Sequence, residues 1–330
     1  MDRRILVAIA VVLTAIISGS IVYYYTQMMA RPEVRIVRWA DADVFPTDYA
    51  VGMLRAEEEE LAAQGIVLER FGMQEPTDAI KMLEAGTVDF AAIMTGPFFA
   101  ARLEGIDIKF IAGAQNGLPF YFVTPNAIQT PSDLNGKILA HHGVGGMSWV
   151  VMMAVLEAKG IDPDTMDIRI IPGSENRRAA LLAGQIDGTI VDTPNCLYLL
   201  DTGDYHIFGQ ATDLYPDLIG NVWIAKTDYI EENRDLLIKI FSAYFKAIKF
   251  YQENMEEYLD AAGSMMPEYD RELHRASWEI EAEFLRADGG LTQSTYESTV
   301  EVYINKLQQA ASAPSYSAGC DDSIVKAAGQ

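Results

Sequence analysis

From Val34 onward the chain alternates between short apolar runs and stretches whose apolar positions fall three and four residues apart. The pattern predicts a strand over 34–39, a helix over about 47–64, a strand over 66–71, a helix over about 77–84 and a strand over 90–94. The same order then returns, with strands over 137–141, 167–171 and 188–191 and helices over 147–159 and 175–182. Twice βαβαβ with short loops implies two parallel sheets covered by helices. A further apolar strand over 120–123 leads into the second unit, and another over 221–225 leads back out. Residues 228–310 read as almost wholly helical; Leu236, Leu237, Ile240, Phe241, Tyr244, Phe245 and Ile248 mark one apolar face.

A short internal match supports the duplication. Leu83 to Asp89 reads LEAGTVD and Leu181 to Asp187 reads LLAGQID. Each ends a helical pattern at a glycine, turns through an aspartate into an apolar run, and stops at a threonine with a proline close behind. Two similar α/β lobes joined by two crossing strands enclose a cleft. Ligands of such sheets bind at the carboxyl ends of the strands, where loops meet helix N-termini.

The first thirty residues differ in kind. Asp2-Arg3-Arg4 precedes an uncharged stretch over 5–22, and Tyr23-Tyr24-Tyr25 follows it. A basic flank, an apolar run long enough to span and an aromatic belt predict an uncleaved transmembrane anchor over 1–31, with the body outside the cytoplasm. A cleaved secretory signal is the alternative, although the large Met28 suits a cleavage site poorly. The expected organisation is 1–31 anchor, 32–122 with 223–312 as lobe one and its C-terminal helices, 123–222 as lobe two, and 313–330 as a flexible tail. The formal charge of −22 argues against a nucleic-acid binder, which needs clustered Lys and Arg. Cys196 and Cys320 form no CxxC, so neither a redox nor a metal motif is supported; pairing and two free thiols both remain open.

Several segments then resemble a known family, the substrate-binding proteins of nitrate/sulfonate/taurine-type ABC importers, which also includes binders of thiamine-pyrimidine precursors. The segments are LEAGTVDFA (83–91), IQTPSDLNGKILA (128–140), LLAGQIDGTIVDTP (181–194) and DYIEEN (228–233). The resemblance spans roughly residues 34–254. It implies a two-lobe type II periplasmic-binding-protein fold of class α/β: two βαβ-type sheets, two crossing strands and a helical C-terminal extension, here behind the N-terminal transmembrane helix. It also implies no catalysis and no cofactor, a small-molecule solute as ligand, and an ABC permease with its ATPase as partner.

Candidate ligand residues follow from the predicted cleft edges. Gly145, Gly146, Met147 and Ser148 open a helix whose free N–H groups and dipole suit an anion; on another reading Ser148 only caps that helix. The resemblance favours ligand contact there. It also implies that the loops at Thr95, Gly96 and Pro97 and at Asp192 and Thr193 line the cleft. Asp192 either holds an amine or closes an Asx-turn. Asn116 is either a turn residue or a ligand donor. Trp39, Asp41, Asp43 and Phe45 follow the first strand, and with Tyr49, Phe98 and Trp149 the aromatics suggest an organic ligand body. The acids suit a zwitterion or an amine-bearing solute. Arg177 and Arg178 read as a solvated helix face. His141 and His142 are adjacent on a strand, so they point to opposite faces and cannot share one metal. A dinucleotide enzyme would need glycine where Ser148 stands. An exported sensory domain is the remaining alternative.

Overall fold

β1 (Arg35–Asp41), β2 (Ile66–Gly72) and β3 (Phe90–Met94) pair in parallel, with β1 in the middle. β10 (Ile219–Lys226) joins β3 antiparallel, and β4 (Ile108–Asn116) closes the sheet beyond it. The second sheet repeats this plan. β6 (Ile138–His141), β7 (Asp167–Ile170) and β8 (Gly188–Asp192) are parallel, β5 (Phe120–Pro125) lies antiparallel to β8, and β9 (Tyr205–Gln210) is outermost. The sheets are therefore mixed, not parallel as the pattern predicts. Each receives the strand that crosses from the other lobe, and a strand arriving from the opposite side must run the other way.

The computed structural model describes residues 34–41, 48–73, 76–144, 146–215, 218–267, 269–306 and 310–329. The expected anchor over 1–31 lies outside them. Among the described residues no helix is long and apolar enough to cross a membrane.

Each parallel strand feeds a helix: α1 (Asp48–Ala56), α2 (Pro76–Glu84) and α3 (Thr95–Leu103) in lobe one, and α4 (Met147–Ala158), α5 (Ser174–Leu182) and α6 (Thr193–Asp201) in lobe two. The duplicated segments do the same local work twice. Gly86 and Gly184 leave their helices at φ of +67° and +66°, a conformation open to glycine. The Asp89 carboxylate then accepts from the Arg38 amide at 2.7 Å, and the Asp187 carboxylate from the Ile138 amide at 2.9 Å. In both lobes that aspartate pins the start of the third strand to the first.

Lobe one is built around five aromatic rings. Trp223 packs against Trp39 (5.5 Å between centroids), Phe90 (5.6 Å), Phe241 (5.7 Å) and Tyr244 (5.5 Å), all of them without solvent exposure. Phe241 and Tyr244 come from α7 (Thr227–Glu253), whose apolar face is the one predicted. After it come α8 (Met255–Met265), α9 (Arg271–Glu281) and α10 (Gln293–Val300). Not all of this extension stays on lobe one. α8 packs on α1, but α9 lies on α6 of lobe two, where Ile280 meets the second core.

The chain crosses between sheets at 117–119 and again between Gln210 and Ile219, somewhat before the boundaries at 122 and 222 that the pattern suggests. The segment expected as a flexible tail is packed. α11 (Tyr316–Gly319) and α12 (Ser323–Ala328) flank Cys320, which bridges to Phe110 of β4. Ile324, Val325 and Ala328 share one face and are buried, and Arg234 holds Asp321 through two nitrogens at 2.9 and 3.1 Å. Apolar spacing inside a short polar-looking segment is enough to dock it. Cys196 and Cys320 are both free and buried.

Candidate functional site

The crossings decide which way the sheet edges face. β4 ends at Asn116 on the carboxyl edge of the first sheet, and after three residues β5 begins at Phe120, paired with Asp192 on the carboxyl edge of the second. The return crossing joins the same two edges, since Tyr121 pairs with Gln210 and Ile219 with Asn116. The carboxyl ends of β1, β2, β3, β6, β7 and β8 therefore confront one another, and the N-termini of α1 to α6 open between them. Each such terminus carries unpaired N–H groups and a partial positive charge.

The crossing is held by a matched pair of threonines. Thr95 Oγ1 donates to the Ile219 carbonyl at 2.7 Å, where β10 begins, and Thr193 Oγ1 to the Pro119 carbonyl at 3.5 Å, just before β5. Both are fully buried, so these hydroxyls tie helices to the hinge and are not offered to solvent. Gly96 is buried beside Thr95 and Pro97 is partly buried. Asp41 is fully buried and ion-paired with Arg70 at 2.9 Å. Asp192 caps α6, accepting from the Asn195 amide at 3.1 Å and from Asn195 Nδ2 at 2.7 Å. Burial pushes its carboxyl above the usual range, against the bonds from Asn195 and Ser174. Of its two sequence readings the capping turn is the one observed. Asp43, Phe45 and Gly145 lie outside the described residues.

Trp39 and Phe98 move away from the cleft. Trp39 belongs to the lobe-one core, where it is fully buried against Phe90 and Trp223. Phe98 is likewise core, against Phe99 and Phe110. Asn116 is 5% exposed; its Oδ1 has no partner among the described residues and lies beside Gly113 and Gly290. Trp149 is partly buried on α4. The aromatic lining expected for an organic ligand body is thus not assembled by Trp39 and Phe98.

Residues 49–258 match the family described as NMT1/THI5 like. The chain belongs to that family. A Bacillus subtilis (strain 168) protein named putative aliphatic sulfonates-binding protein is 25% identical over 211 residues. That match spans 62% of this chain and 61% of the relative's length, less than two thirds of either. Among solved structures, the putative periplasmic sulfonate-binding protein SsuA from Methylobacillus flagellatus KT is similar with a TM-score of 0.69 at 19% identity, covering 90% of this chain and 94% of its own. The periplasmic aliphatic sulphonate binding protein SsuA from Escherichia coli is similar with a TM-score of 0.71 at 15% identity, covering 87% and 92%. These likenesses establish the two-lobe α/β periplasmic-binding-protein fold, and the family match bears out the resemblance carried by the four sequence segments.

In this NMT1/THI5-like chain the turn before α4 is organised from within. Gly146 is the N-cap, not Ser148; Ser148 is the second residue of the first turn, 2% exposed, and its Oγ accepts from the His142 amide at 2.7 Å. The serine thus folds the loop back on itself and keeps a hydroxyl proton with no acceptor among the described residues. Replacing Ser148 with alanine orphans the His142 amide, and we expect a loss of about 1–2 kcal/mol in unfolding free energy, read by urea denaturation. A change within the error of that measurement would assign the turn to other contacts.

Arg177 is what the sequence reading missed. The arginine expected on a solvated face is 2% exposed. Its Nε donates to the Ile190 carbonyl at 2.9 Å, and its terminal nitrogens donate to the Ile171 carbonyl and to Ser174 Oγ, each at 3.0 Å. Burial pushes its pKa down to about 10, while Asp192 and Glu175 pull it back up, so it is charged at neutral pH. One clue was available: Arg177, Ala180 and Leu181 fall at i, i+3 and i+4, the spacing of the inward face of α5. Arg178 is the outer one, with its guanidinium 4.4 Å from the Tyr198 ring centroid.

Proposed function

We propose that this protein is the solute-binding component of an ABC importer, closing its cleft on a small sulfonate-type anion outside the cytoplasm and presenting it to the permease and its ATPase. The observation that carries the reading is the convergence of six helix N-termini on one cleft, since such termini favour negative groups. The described carboxylates at the edges point the same way. Asp41 is ion-paired with Arg70 and Asp192 accepts from Asn195, so both carboxylates already have partners within the chain. Family membership and the name of the B. subtilis relative support the sulfonate class. The apolar stretch over 5–22 would tether the body to the outer face of the membrane.

The test is a thermal-shift screen of the purified body with short alkanesulfonates, sulfate, nitrate, taurine and an aminopyrimidine. A ligand at a hundred times its Kd stabilises by about 2.7 kcal/mol, enough to raise the melting temperature by several degrees. Alkanesulfonates are expected to do so and the aminopyrimidine is not. A melt that no anion moves would refute the reading.

A further inference from the structure

We infer that the buried guanidinium of Arg177 is the counter-charge that makes the cleft select an anion, acting from beneath the ligand and not by touching it. The inference rests on the cleft's role as a solute site and names the residue behind its charge preference.

The argument begins with the cost of burying a charge. A guanidinium taken out of water is expensive unless a carboxylate meets it. Elsewhere one does: Arg70 meets Asp41, Arg234 meets Asp321 and Arg102 meets Asp107. Arg177 is more deeply buried than any of these, yet its three acceptors are two carbonyls and a hydroxyl, all neutral, and no carboxylate lies within ion-pair distance among the described residues. A guanidinium has five N–H groups, so two remain unspent.

Its position gives the charge a use. Ile171 follows the carboxyl end of β7, Ile190 lies two residues before the end of β8, and Ser174 is the first residue of α5. The guanidinium spans that edge of the second sheet, immediately behind the openings of α5 and α6. The charged groups around it do not cancel it by contact. Asp192, on the β8 to α6 turn, is bonded to Asn195 and to Ser174, so it meets the guanidinium through that hydroxyl and not directly. Glu175, on α5 itself, is exposed and accepts from the Tyr269 hydroxyl at 3.4 Å. His141, at the end of β6, is pushed below its usual value by burial and by Arg177 itself, which disfavours its charged form. The nearest negative group, Asp192, reaches the guanidinium only through the Ser174 hydroxyl and is shared with Asn195, so a bound anion on the cleft side supplies a second counter-charge.

The closing experiment compares ethanesulfonate with its neutral analogue ethanesulfonamide, by calorimetry, on wild type, Arg177→Lys, Arg177→Gln and Asp192→Asn. Wild type should prefer the sulfonate, with binding flat from pH 6 to 9. A charge several Å away through protein of effective dielectric about 20 changes an anion's affinity roughly ten- to a hundredfold, so Arg177→Gln should lose sulfonate affinity by that factor and keep its affinity for the sulfonamide. Arg177→Lys should bind sulfonate at pH 6 and lose it as the pH rises towards 9, because a buried ammonium gives up its proton far more readily than a guanidinium. Asp192→Asn keeps the capping oxygen, removes a competitor for the Arg177 field, and should bind sulfonate several-fold more tightly. If the Arg177 variants unfold, the Asp192→Asn variant still decides, and an unchanged sulfonate affinity there overturns the inference. Arg177 variants that melt lower but keep the sulfonate preference and a flat pH profile overturn the inference and leave a structural strut. A wild type that binds both compounds equally overturns it while the solute-binding reading stands. A wild type that binds neither overturns both.

Discussion

Trp223→Ala is expected to cost about 3–5 kcal/mol of stability and to lower the melting temperature by roughly 10 °C. Trp223 is in β10, the strand that returns from lobe two, and it is the hub of the aromatic core. Its indole meets Trp39, Phe90, Phe241 and Tyr244, with centroids 5.5 to 5.7 Å away. Alanine there leaves a cavity that four rigid rings cannot collapse into, which places the cost high in the usual range for a buried aromatic. Trp223→Phe keeps most of the ring contacts and should cost less than half as much. Calorimetric melts of the two variants against wild type settle it; an alanine variant within about 1 kcal/mol of wild type would show that α7 is docked by other contacts.

Gly220→Ala has the second largest expected effect and a different cause. Gly220 follows Ile219 at the start of β10, where the two crossings lie side by side. A Cβ there would fall inside the contact distance of the Gly117 carbonyl oxygen and 3.0 Å from Leu118 Cδ2. The first obstacle is backbone, so no rotamer change relieves it. The neighbouring bonds are tight as well: the Gly117 amide donates to the Leu218 carbonyl at 2.5 Å, and Thr95 Oγ1 is 3.3 Å from the Gly220 carbonyl. The crossings must spread, at an expected cost of about 2–3 kcal/mol. Urea unfolding should show a lower midpoint with an unchanged slope. A midpoint equal to that of wild type would mean that the crossings tolerate a wider spacing than they adopt.

The duplicated plan was legible because it is written in local terms. Period-2 and period-3.6 patterns located ten strands and helices of the two βαβαβ units to within a few residues. The LEAGTVD and LLAGQID segments carried the glycine and the aspartate that close each unit. What was not legible depends on partners distant in sequence. β4 and β9 were missed because glycine and polar residues interrupt their apolar alternation: IKFIAGAQN and YHIFGQ. The antiparallel insertion of β5 and β10 is a property of the crossing, not of either strand. Trp39 was assigned to the cleft because it stands near the end of β1, yet alternation along the strand turns it inward. Arg177 was read by its charge alone, and charge usually argues for solvent; only its register with Ala180 and Leu181 argued otherwise. Thr95 and Thr193 were placed correctly at the strand ends, while the acceptors of their hydroxyls lie in the opposite part of the chain.

The shortness of the first crossing has a consequence for size. From Asn116 to Phe120 the chain has only four residue steps, at most about 14 Å when fully extended, and the Phe120 amide folds back to the Leu118 carbonyl at 2.7 Å. The two edges cannot separate beyond that reach at this end, however far they swing apart at the other. Whatever opens between the two edges is bounded on this side by that tether.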